Sequence, residues 1–137
     1  MSAAPFLDTN ILLYAHLDAP KEPRHAKALA LLDELDGWTL STQVLAEYFH
    51  GMARHKVADK LIHANIETLL QLGSLRLVTL DVIRRAWQVR TRYGFSYWDS
   101  QLIASALDAG CTTLYTEDLQ HGQIIDAQLT VVNPFLA

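Results

Sequence analysis

Four acidic residues, each set beside an apolar run, are where this sequence could do chemistry: Asp8, Glu47, Asp99 and Asp118. Asp8 divides two apolar runs in FLDTNILLYA, and taken alone it is a helix N-cap for the segment that begins at Thr9. Asp118, in TEDLQHG, is by itself an ordinary turn residue. Asp99 carries more information. Ser96-Tyr97-Trp98-Asp99 matches a capping box, in which the acid reaches back to the N-cap amide. Yet Asp99, Leu102, Ile103, Ala106 and Gly110 recur at spacings of three and four, so the carboxylate lies in line with an apolar stripe. A buried ionised carboxylate needs a cation, a hydrogen-bond network or a proton. Glu47 flanks a helical face made by Val44, Leu45, Tyr48 and Met52, and Gly51 one turn later leaves space beside it. It reads equally well as a solvated boundary residue. Glu47 and His50 also spell E-x-x-H, but di-iron bundles use that motif twice with two further acids, and here it occurs once in an α/β pattern.

Were the four acids to converge, two carboxylates about 5 Å apart would repel by about 3 kcal/mol at an effective dielectric of about 20. Something must neutralise the cluster. No Lys or Arg lies in the four quoted stretches, so hard divalent cations answer better than internal salt bridges. Oxygen-only ligands suit Mg²⁺ or Mn²⁺, as one ion or two.

The elements that would position these acids can be read from the apolar pattern. Short continuous runs suit strands covered on both faces, and spacings of three and four suit the helices that cover them. Strands are expected at Phe6-Leu7, Trp38 to Leu40, Leu75 to Leu80 (LRLVTL), Thr113 to Thr116 and Thr130 to Val132. Helical patterns fall at about 22–36, 42–54, 58–72, 81–92 and 97–109, with Pro23 placed for a first turn and Gly73 and Gly110 for helix ends. This order predicts an α/β fold with a mostly parallel sheet of about five strands and helices on both faces. Residues 1–137 read as a single domain, without repeat or linker. In open parallel sheets ligands bind beyond the carboxyl ends of the strands, where Asp8 and Asp118 fall.

Composition excludes several classes. Half of the 137 residues are hydrophobic and 19% are charged, a globular balance. No apolar run approaches the roughly 20 residues of a membrane span. The start MSAAPFLDTN lacks a basic region followed by an apolar one, so a cytoplasmic location is expected. The formal net charge of −4 opposes nucleic acid on average but favours cations, and local basic patches can exist within it. Cys111 reads as a small buried residue. The histidines at 16, 25, 50, 55, 63 and 121 are isolated or poorly spaced and read as ordinary surface or core residues.

The order Asp8-Thr9-Asn10, Glu47, Asp99 in YWDSQLIASALDAGC and Thr116-Glu117-Asp118 resembles the PIN domain family, and especially its single-domain VapC-type toxin ribonucleases, over essentially the whole chain. The resemblance implies that Asp8, Glu47, Asp99 and Asp118 hold one or two Mg²⁺ or Mn²⁺ ions, with Asp8 and Asp99 central. Thr9, Asn10 and Thr116 would support the site, and Glu117 would be an additional outer-sphere acid. The implied reaction is metal-assisted hydrolysis of RNA phosphodiesters, leaving a 5′-phosphate and a 3′-hydroxyl. A homodimer and a small antitoxin partner that covers the cleft are implied as well. A stand-alone RNA-processing nuclease and a catalytically inactive PIN-like binding module are the alternatives.

RNA would be gripped through phosphates by basic side chains and through bases by aromatic faces. Arg84, Arg85, Arg90 and Arg92 form the main basic concentration, Arg54 and Lys56 a smaller one, and Tyr97 and Trp98 could stack on a base. The arginines read equally as a solvated helix face and the aromatics as core. Two rivals fail on residues. A phosphorylation receiver needs a late Lys, and the last here is Lys60; a haloacid-dehalogenase-like phosphatase needs D-x-D, where this chain has Asp8-Thr9-Asn10.

Overall fold

The computed structural model describes residues 3–136. Along the chain run β1 (Phe6–Leu7), α1 (Thr9–His16), α2 (Pro23–Glu34), β2 (Trp38–Ser41), α3 (Thr42–Arg54), α4 (Asp59–Gln71), β3 (Gly73–Arg76), α5 (Leu80–Tyr93), α6 (Tyr97–Asp108), β4 (Thr113–Tyr115), β5 (Ile124–Ile125) and β6 (Leu129–Val132). The strands form one sheet in the order β3-β2-β1-β4-β6-β5. All neighbours are parallel except the β5–β6 pair.

Consecutive residues of a strand point to opposite faces. Phe6 and Leu7 of β1, and all four residues of β2, are buried, so both faces of the sheet centre are covered. That explains why these strands read as continuous apolar runs rather than as alternating ones. After β1 the chain builds β2 and then β3 on one side, and later places β4 on the other. The sheet's switch point therefore lies between β1 and β4, the place where such sheets open a crevice. The carboxyl ends of β1, β2 and β4 deliver Asp8, Ser41 and Thr116 to that end.

Three helix starts are capped by hydroxyl side chains. Ser41, Thr79 and Ser96 each accept the backbone N–H of the residue three positions on, at the starts of α3, α5 and α6. Pro23 opens α2, Gly73 follows α4 and Gly110 follows α6. Cys111 is buried, its thiol donating to the Ala4 carbonyl at 3.3 Å.

Two elements depart from the expected pattern. The third strand lies at Gly73–Arg76, not Leu75–Leu80, because Thr79 caps α5 and commits Leu80 to that helix. As the outer strand it leaves Leu75 exposed, as is Leu77 just beyond it, so apolar residues here do not mark core. The additional strand, β5, pairs antiparallel with β6, and the turn between them carries Asp126 and Ala127, both at positive φ (52° and 53°). Hairpin turns of that kind normally announce themselves with Gly or Asn, and neither residue stands there.

Candidate active site

Asp8 is only 8% exposed. One carboxylate oxygen accepts the Thr9 backbone N–H at 2.7 Å, and the other accepts the Thr116 hydroxyl at 2.7 Å. The N-cap and the site residue are thus the same group: capping α1 fixes the carboxylate at the switch point. Burial pushes the Asp8 pKa up from 3.8 to about 7; the bonds from Thr116 and Thr9 oppose that rise, and the charges of Asp118 and Glu47 add to it.

Thr116, fully buried, also accepts the Asp118 backbone N–H at 3.1 Å, so its hydroxyl sets the turn that presents Asp118. The Asp118 carboxylate accepts from the Asn10 amide at 3.4 Å, and its pKa is raised by burial and then by Asp99 and Glu117. Glu47 is exposed on α3 and accepts the Thr9 hydroxyl at 2.9 Å. Asp99 stands in the first turn of α6, where its backbone N–H donates to Ser96 at 3.1 Å. Among the described residues no hydrogen bond or ion pair engages its carboxylate, so the reciprocal half of the capping box is not made and the acid turns to the groove. Gln43 and Gln101, bonded amide to amide at 3.0 Å, tie α3 to α6 and fix Glu47 relative to Asp99.

All four acids line one groove of about 580 Å³. Among the described residues none of them takes part in an ion pair. Nor do any three His, Cys, Asp or Glu side chains, among these residues, stand close enough together to hold an ion. Each acid but Asp99 leans on its own donor: Thr116 for Asp8, Thr9 for Glu47, Asn10 for Asp118. The donor set is oxygen throughout, carries excess negative charge and includes a buried carboxyl destabilised by its acid neighbours. Those features fit a hard divalent cation of the kind held by one or two carboxylates with its remaining positions kept by water, rather than a site closed by three protein ligands.

Glu117 does not line the groove. It turns towards α1 and α2, where it accepts from Arg24 at 3.0 Å and from the Tyr14 hydroxyl. Arg24 also donates to Tyr14 at 2.9 Å and to Glu22 at 2.7 Å. The Tyr14 phenol is pushed up to about 12, by burial and then by Glu117. The expected outer-sphere acid is therefore an anchor that pins the turn carrying Asp118 to the first two helices. Tyr14→Phe leaves the partly buried Glu117 short of one donor and should cost about 1 to 3 kcal/mol. A urea titration would show it as a lower midpoint with an unchanged slope; an unchanged midpoint would remove the anchor role.

Gly51 also differs from expectation. The space beside Glu47 is filled, because a Cβ on Gly51 would meet the Leu13 methyls at 2.8 and 2.9 Å. Its lack of a side chain lets α1 pack on α3, and Leu13 becomes part of the groove lining.

The expected RNA contacts divide. None of Arg84, Arg85, Arg90 and Arg92 lines the groove. Arg84 stands 3.7 Å from Asp81, Arg90 donates to the Phe95 carbonyl at 2.7 Å, and Arg92 pairs with Asp126 at 2.7 Å, holding the β5–β6 turn. Tyr97 packs against the Val82, Ala86 and Ala104 cluster and donates to Gln101 at 2.8 Å. Trp98 is 62% exposed and lines the groove. His50 and Arg54 of α3 and His55, its C-cap, line it too, although the histidines read as ordinary residues and Arg54 only as part of a minor basic group.

A mostly parallel sheet that gathers acids from four segments at its switch point defines the class. A family model described as PIN domain matches residues 6–125, and the chain belongs to the PIN domain family. Its fold is shared with VapC20 of Mycobacterium tuberculosis, described as a sarcin-ricin loop cleaving toxin (TM-score 0.69, 21% identity, 84% of this chain and 92% of that one). It is shared also with a toxin-antitoxin complex from Klebsiella pneumoniae (TM-score 0.70, 19% identity, 97% and 98%) and with FitAcB from Neisseria gonorrhoeae (TM-score 0.70, 22% identity, 96% and 98%). No match is found among curated proteins. Among the described residues no helix is long and apolar enough to cross a membrane.

Proposed function

We propose that this protein is a metal-dependent endoribonuclease, the toxin of a type II toxin-antitoxin pair, acting in the cytoplasm as a homodimer restrained by a small antitoxin protein. The observation that carries the nuclease reading is the gathering of Asp8, Glu47, Asp99 and Asp118 along one groove with no cation paired to any of them among the described residues. The toxin reading is supported by the descriptions of the proteins that share the fold.

Asp8 and Asp99 are the central ligands for one or two Mg²⁺ or Mn²⁺ ions, with Glu47 and Asp118 completing the set. Such an ion supplies a nucleophile at neutral pH and offsets charge that develops on the phosphate. The chain's own residues orient the acids. Thr116 and the Thr9 amide fix both oxygens of Asp8, the Thr9 hydroxyl aims Glu47, and Asn10 steadies Asp118. Trp98, free on the groove rim, offers a face on which a base stacks. Water oxygen bonds to phosphorus as the bond from phosphorus to the 3′ oxygen breaks, giving a 5′-phosphate and a 3′-hydroxyl.

Labelled total RNA incubated with Mg²⁺, Mn²⁺ or EDTA tests the proposal. The expected result is cleavage with either metal and none with EDTA, reduced at least tenfold by Asp99→Asn, an effect typical of losing a group that holds or orients a metal. Cleavage that persists in EDTA, or is equal in the variant, would overturn the assigned site.

A further inference from the structure

We propose that the second half of α3 is a phosphate-binding wall, on which Arg54, flanked by His50 and His55, grips the RNA backbone beside the bond that is cut; this rests on the nuclease reading above. Residues 47, 50 and 54 of a helix share one face, and His55 caps its end. Here that face lines the acidic groove, running from Glu47 to the end of α3. Seven residues at 1.5 Å each place the Arg54 backbone about 10 Å along the helix axis from Glu47, clear of the acids but in the same channel.

Three observations single out Arg54. It is the one Lys or Arg among the groove-lining residues. Among the described residues no carboxylate pairs with it, although four acids line the same groove. The arginines of α5 lie off the groove, and two of them are held by Phe95 and Asp126. A chain of net charge −4 that presents four acids to a polyanion needs a local cation to hold it. A guanidinium forks onto a phosphate through two parallel bonds and stays charged throughout the accessible pH range. His55 is steadied at the helix end by its ring Nδ1, which donates to the Gly51 carbonyl at 2.9 Å. His50 lies one turn back, between Arg54 and Glu47.

The test is fluorescence anisotropy of a labelled single-stranded RNA, in EDTA to prevent cleavage, over a range of salt concentrations. Arg54→Ala should weaken binding about fivefold or more and reduce the slope of log affinity against log salt by about 0.7, the value for one phosphate contact on a single strand. Arg54→Lys should keep the slope while losing part of the affinity, and Arg84→Ala, off the groove, should change neither. Circular dichroism of each variant accompanies the titration, and Arg54→Gln replaces the alanine variant if that one fails to fold. Binding by the parent chain that is unaltered in affinity and slope by Arg54→Ala or Arg54→Gln would overturn the wall and leave the nuclease reading standing. A parent chain that neither binds nor cleaves RNA would overturn both.

Discussion

Asp8→Asn should abolish metal-dependent RNA cleavage and, at the same time, raise the melting temperature of the metal-free protein. The two effects share one cause. Asp8 is buried, and its carboxyl is destabilised in the ionised form by burial and by Asp118 and Glu47. A rise from 3.8 to about 7 corresponds to about 4 kcal/mol at pH values above both. Asn keeps an oxygen for the Thr9 amide, so the cap on α1 survives. The Thr116 hydroxyl, which donates to Asp8, can accept from the new amide instead. The variant removes a charge the fold tolerates poorly and should gain several degrees in melting temperature. It also removes the proposed central ligand, so cleavage should fall by about two orders of magnitude or more. A calorimetric scan and the RNA assay on one preparation check both halves. A variant that melts lower than the parent would contradict the charge argument, and one that still cleaves would displace Asp8 from the reaction.

The second large effect is on pH. The folded-state pKa of Asp8 lies above its unfolded value, so between the two the folded protein binds more protons. Its contribution to stability is full below about pH 3.8 and is lost as pH rises through about 7. Asp118 is shifted in the same direction, by burial and by its acid neighbours. The parent minus Asp8→Asn difference in unfolding free energy should therefore become less favourable to the parent by about 4 kcal/mol between pH 4 and pH 8. A divalent cation held as proposed would reverse the trend, since it would bind the deprotonated carboxylate and displace the proton. The Mn²⁺-induced rise in melting temperature should then be larger at pH 8 than at pH 5.5. A rise independent of pH would mean that Asp8 is ionised before the metal arrives, or is no ligand.

Much of this was legible in the residues because local signals and long-range packing agreed. Phe6-Leu7 and Trp38 to Leu40 read as covered strands because both faces of the sheet centre are buried, and Ser96 announced the helix it caps. The acids stood out because a charge in an apolar stripe needs an explanation. Other features depend on a partner far along the chain. Glu117 has its role through Arg24 and Tyr14, which nothing near TEDLQHG reveals. Gly51 is small on account of Leu13, on another helix. The run from Leu75 to Leu80 misled because apolar character alone does not separate a central strand from an outer one. Arg54 and the α5 arginines look alike in sequence; only the packing of α3 beside α1 makes one a groove residue and leaves the others outside it.

The position of β1 between β2 and β4 sets a clock on the site. The first strand to be synthesised is the centre of the sheet, yet one of its two neighbours begins only at Thr113. A ribosome adding about 5 to 20 residues per second needs roughly 5 to 20 s to travel from Asp8 to Asp118. Through that interval Asp8 has neither the Thr116 hydroxyl nor the turn that brings Asp118 alongside. Nascent chains that stall or are clipped before β4 pairs with β1 therefore lack an assembled acid groove. The groove is therefore complete only once Thr116 and Asp118 have been added and β4 has paired with β1.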